Sequence, residues 1–248
     1  GSWMKTAKIP ADKPSWGSFT QLRETTDMNS LGLLDNILKE KYAAGSEGQK
    51  IQALYETYMD MDKRNADGPN PIKGDLAKVD AIKNLSDLQK YLTDATRRGD
   101  NTFYGWGVDG DLKNSKMNAV YLGDASLGLG RDYYQKESPK NTETIEEYKK
   151  YVAQVLTEIG YKNAPAVAAQ IVDFEKKMAK TLLTNEQIRD ATLQYNPKTM
   201  PELKSLVKNV DLPKYLADAG VRTDKVIIGE LNYYKNLDTF LTEKNIPI

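Results

Sequence analysis

Residues 121–134, YLGDASLGLGRDYY, constrain this chain more than any other stretch. Gly123, Gly128 and Gly130 stand close together, with Gly105 and Gly107 shortly before them. Such spacing calls for tight backbone approach and for positions of positive φ, and no helix runs through it. Arg131 and Asp132 then bring opposite charges to the pair Tyr133-Tyr134. No reacting group is present, so the run reads as structural, with Arg131 and Asp132 expected to tie the turn to neighbouring backbone. It separates a first half from a second half whose patterns are wholly helical.

The patterns on either side predict a mainly α fold. Residues 1–17 hold Pro10 and Pro14 among charged residues and read as an extended N-terminal arm. The remainder, 18–248, reads as one helical lobe. Ser18 with Gln21 suggests a capping box, opening a long helix toward Gly45. Ile51, Leu54, Tyr55, Tyr58 and Met59 predict a second helix over 48–64, closed by the turn-rich ADGPNP. Ser86 with Gln89 signals another helix start.

Near residues 103–123 the period changes to alternation, which predicts one small β-hairpin around a polar turn. Long amphipathic helices follow over 144–161 and 166–183. Shorter ones start at Thr184 with Gln187, at Thr199 with Pro201 and Glu202, and at Asp211 with Pro213. Val226-Ile227-Ile228 reads as a brief extended link before a terminal helix that runs to the chain's end.

Composition narrows the chemistry. Lys plus Arg and Asp plus Glu both number 35, so no global field favours nucleic acid or an anionic membrane. No apolar run reaches the length of a membrane span. The start reads as carrying no signal peptide, and a cytoplasmic location is expected. The chain has no cysteine and no histidine. Thiolate and imidazole chemistry are therefore excluded, including Ser-His and Cys-His sites and H-E-x-x-H zinc ligation. Asp109-Gly110-Asp111 resembles the start of a calcium loop, but Lys113 stands where an oxygen ligand is needed. Asp60, Asp62 and Asp67 are interrupted by Arg64 in the same way. Both groups read as helix-end and turn chemistry.

Three motifs resemble the N-terminal region of the neprilysin-like zinc metallopeptidases, particularly the bacterial endopeptidase O branch. They are Gly1-Ser2-Trp3, then Trp16-Gly17-Ser18-Phe19 leading to Leu22-Arg23, then Leu127-Gly128-Leu129-Gly130-Arg131-Asp132-Tyr133-Tyr134. The last is one residue short of that family's commonest spacing. The resemblance implies a two-lobed peptidase enclosing a chamber, with its zinc lobe late in the chain. That family's H-E-x-x-H, its further Glu ligand and its Asn-Ala segment have no counterpart here. Zinc is thus expected in the full-length parent, and this chain is expected to bind none and to be inactive alone.

By the same resemblance, Phe19 would be an apolar wall and Arg23 a charged contact on the primed side of the substrate site. Ser15 and Thr20 depart from the Arg and Asp that neprilysin carries there. Phe19 as a helix-start core residue and Arg23 as a surface ion pair remain open alternatives. The implied partners are an oligopeptide substrate, the missing C-terminal zinc lobe, and a second copy meeting the exposed lobe interface as a homodimer. A stand-alone helical peptide- or protein-binding module is the rival reading. A hydrolase built on two converging carboxylates is a third.

Overall fold

The computed structural model describes residues 1–247, in two compact units that divide between Gly68 and Pro69. The break falls inside the ADGPNP turn. In the first unit, α1 (Ser2–Thr6) occupies the start of the expected arm, and no helix or strand forms again before α2. Three further helices follow: α2 (Ser18–Lys39), α3 (Glu47–Met59) and α4 (Met61–Asp67).

Local chemistry sets these boundaries. Ser18 already lies within the first turn, so the cap position of α2 is Gly17 and no side chain bonds there. The helix stops at Lys39, short of Gly45, where the Gln52 amide of α3 donates to Ile37 O (2.6 Å) and Glu40 O (2.8 Å). Those are carbonyls that a helix end leaves without partners. The single helix expected over 48–64 is two, because Asp60 leaves helical geometry and its carboxylate accepts Lys63 N at 2.9 Å. One residue closes α3 and caps α4. No residue of this unit is buried.

The second unit opens with a short 3-10 turn and α5 (Lys73–Asp80), then α6 (Leu85–Arg97), β1 (Trp106–Asp111) and β2 (Asn114–Leu122). After α7 (Arg131–Gln135) come α8 (Pro139–Glu158), α9 (Ala164–Ala179), β3 (Asn196–Thr199), α10 (Met200–Leu206), α11 (Leu212–Asp218), β4 (Lys225–Ile228) and α12 (Leu231–Phe240). The fold is mainly α with one small sheet, and the hairpin sits where alternation places it.

The second half is not wholly helical. The hairpin is half of a four-stranded sheet in the order β1-β2-β4-β3. β4 runs parallel to β2, with Tyr121 facing Ile227, and β3 pairs antiparallel with β4, with Pro197 facing Ile227. Val226, Ile227 and Ile228 are fully buried. The expected link is therefore an interior strand, continuously apolar because both of its faces are covered. Proline fits β3 because that strand lies at the sheet edge.

Prolines in the first turn of α8, α9, α10 and α11 help fix their starts. Ser138 caps α8 through Asn141 N (3.1 Å), so this helix begins five residues before position 144. Gly160, at φ 86°, lets Tyr161 N return to Leu156 O and ends it. A five-residue link ending in left-handed Asn163 leads into α9. α6 is capped by Asn84 (2.9 Å to Asp87 N) and not by Ser86 with Gln89, because Gln89 exchanges two bonds with the backbone of Asp211. Thr184 and Gln187 bond reciprocally but start only a 3-10 turn. α12 ends at Phe240, where Asn245 donates to its carbonyl, and does not run to the chain's end. The main core joins β4 to Leu203, Leu212, Tyr215, Leu216, Tyr233 and Leu237 of α10, α11 and α12.

Candidate functional site

Phe19 and Arg23 are four residues apart on α2 and so share a face. Phe19 is 89% exposed, and the Arg23 side chain is 84% exposed with its Nε 4.0 Å from the Asp27 carboxylate. Phe19 is thus no core residue, and Arg23 makes only a loose surface pair. Leu22 lies beside them, exposed as well. On α3, Ile51, Leu54 and Tyr58 form a second exposed apolar stripe at spacings of three and four.

The glycine-tyrosine run folds into a densely bonded centre in the second unit. Arg131, at the head of α7, donates through NH1 to Leu183 O (2.7 Å) and Glu230 Oε1 (2.6 Å), and through NH2 to Asp124 Oδ2 (2.8 Å). Glu230 returns its other oxygen to Leu183 N at 2.7 Å. Arg131 therefore ties the turn to the backbone before β3 and to the β4–α12 junction. Asp132 acts differently. Its carboxylate pairs with Lys136 (3.2 Å), while its carbonyl accepts from Asn141. Lys136 also reaches Glu186 at 2.8 Å, and this bond holds the Glu186 carboxyl down to about 2.

Glu175 of α9 gathers the rest of the run. It accepts from Gly128 N (3.0 Å), Tyr134 OH (2.7 Å) and Tyr148 OH (3.3 Å). Burial, and then Glu175, push the Tyr148 phenol up to about 12, and burial raises Tyr134 further. A side chain on Gly128 would collide with the Tyr148 hydroxyl, so glycine is required by close approach. Tyr233 OH donates to Phe103 O and Tyr234 OH to Gly123 O, which pins α12 to both chain segments at the open end of the hairpin.

Chemically this centre is a structural network. The carboxylates of Asp124, Glu175 and Glu230 are engaged by arginine, phenol or backbone donors, while Asp132 pairs with Lys136 and keeps one buried oxygen without a partner. Residue patterns single out Arg131 and the tyrosine pairs, but Asp124, Glu175 and Glu230 are missed. Glu230 lies 99 residues from Arg131, and no local signal marks it as a partner.

The two aspartate-rich runs serve turns and helix ends. Asp111 is buried, and its carboxyl is held below the usual range first by Lys113 N, then by Tyr195 OH and Lys225. Asp60 caps α4, and Asp67 pairs with Lys63. Among the described residues no group of three carboxylate, His or Cys side chains could hold a metal ion. With no His and no Cys in the chain, these residues do not fit zinc. No helix among them is long and apolar enough to cross a membrane.

A family model described as Peptidase family M13 matches residues 1–248. The chain is similar to a putative zinc metalloproteinase in the scaA 5' region of Streptococcus gordonii, at 26% identity over 259 residues, covering 99% of this chain and 44% of that protein. It is also similar to the neutral endopeptidase of Lactococcus lactis subsp. cremoris, at 25% over 247 residues, covering 98% and 39%. Its fold is like that of the Mycobacterium tuberculosis zinc metalloprotease Zmp1 solved with an inhibitor. There the TM-score is 0.81 at 23% identity, covering 99% of this chain and 38% of that one. The chain thus spans about two fifths of the length of these curated relatives.

Proposed function

This chain belongs to peptidase family M13, and we propose on that premise that it is the non-catalytic N-terminal lobe of a zinc metalloendopeptidase acting on oligopeptides. The lobe forms part of the chamber wall and contributes Phe19 and Arg23 to the primed side of the substrate site. The family match along the full chain carries this reading. Two features support the division of labour. The residues described here do not fit zinc, so no step of hydrolysis is assigned to them. The apolar stripes on α2 and α3 lie open to solvent, a state that ordinarily marks a surface with a partner. In this reading the partner is the zinc lobe of the same protein, and two copies of the chain alone associate through these faces.

Incubated with zinc and a mixture of oligopeptides, the pure chain is expected to hydrolyse nothing above buffer. Sustained cleavage would overturn the non-catalytic assignment. The substrate contacts are tested in an enzyme carrying both lobes. Arg23→Ala and Phe19→Ala are each expected to raise KM by about 2- to 5-fold with kcat nearly unchanged, the scale of one exposed contact. For Arg23 the effect should be confined to peptides with an acidic primed-side residue. Unaltered KM in both variants would remove the primed-side role.

A further inference from the structure

The second unit contains a cavity of about 400 Å³ between α6, α9 and the segment after α12. That size lies within the ~300–1,000 Å³ typical of small-molecule sites. Nothing in the peptidase reading uses it. Leu88, Leu92, Ile171 and Met178 give it aliphatic walls, and Phe103, Phe174 and Phe240 add a three-ring aromatic wall. Phe103 and Phe174 meet at 90° with centroids 6.2 Å apart, and Phe174 and Phe240 at 77° and 5.9 Å. An edge-to-face cluster of this kind accepts a further ring at similar geometry.

Charge defines the occupant further. Among the described lining residues there is no Lys or Arg, so a carboxylate or phosphate would enter without a counter-charge. Glu175 is the one acid in the lining, and its oxygens are held by Gly128, Tyr134 and Tyr148. It is not free to recruit a cation. Thr102, Ser126 and Thr242 add neutral hydroxyls to the lining, enough to meet a single polar substituent.

We propose that this cavity binds one uncharged aromatic molecule, its ring added to the Phe103, Phe174 and Phe240 cluster and its polar substituent facing the hydroxyls. The neutral fluorophore N-phenyl-1-naphthylamine, titrated into the full chain, should brighten and saturate at one probe per chain. Indole should displace it, and indole-3-acetate should do so at least about tenfold less well, since its carboxylate would be buried unpaired. Val79→Trp and Ser126→Phe place bulk at exposed lining positions, and each should weaken the probe at least about tenfold while leaving the circular dichroism spectrum unchanged. The apolar stripes on α2 and α3 are untouched by either change, so unaltered fluorescence in a folded variant would place the probe there and overturn the proposal. Equal displacement by indole and indole-3-acetate would overturn it as well.

Discussion

Arg131 joins three separate segments of the second unit through Leu183 O, Glu230 and Asp124. Its removal leaves the nearly buried Glu230 carboxylate facing Leu183 N alone. Arg131→Ala is therefore expected to cost about 2–4 kcal/mol, read as a lower urea midpoint, because a buried charge loses its partner. Glu230→Gln keeps the shape and should cost less. A loss below about 0.5 kcal/mol for Arg131→Ala would mean that the network is incidental. The glycine-tyrosine run was legible as a structural knot because its composition is unusual over a few residues. Its partners outside the run were not, since Glu175 and Glu230 are single acids among 35. Which of them an arginine meets is decided by packing, and local sequence does not record that choice.

Helices whose apolar positions repeat every three or four residues were readable, and so was the hairpin. Some of their ends were readable and others were not. Thr199 with Glu202 forms the expected reciprocal capping box of α10, with Glu202 N to Thr199 Oγ1 at 3.4 Å and Thr199 N to Glu202 Oε2 at 2.8 Å. Thr199→Ala is expected to lower stability by about 1 kcal/mol, measured by thermal or urea unfolding. Ser86 with Gln89 carries the same signature and fails, because Gln89 is drawn to Asp211 on another helix. β3 was invisible, since a proline inside a short polar segment argues against a strand unless the edge position is known. β4 looked like a link because three consecutive apolar residues have no period, and only its burial on both faces distinguishes it.

At the scale of the molecule, the two units differ in how much they bury. The second holds Tyr104, Tyr134, Tyr233 and Tyr234 almost fully buried, and burial raises each phenol above its usual value near 10. The folded chain therefore keeps protons that the unfolded chain releases above pH 10. The stability these groups contribute is complete below that pH and falls as pH rises toward their folded values, by about 1.4 kcal/mol per pH unit for each buried phenol. The urea midpoint should show no tyrosine-dependent change between pH 7 and about 9 and then drop steeply above pH 10; a midpoint insensitive to pH up to about 11.5 would contradict the burial. The pairing of Tyr233 with Phe103, 130 residues earlier, has a consequence for synthesis. At roughly 5–20 residues per second, the hairpin leaves the ribosome on the order of ten seconds before α12 is made. During that interval the β2 edge that will receive β4 stands open, and a strand edge in that state recruits other chains. The yield of folded protein is then governed by how quickly the stretch between β2 and β4 follows, so slow translation of that stretch should favour aggregates over soluble chain.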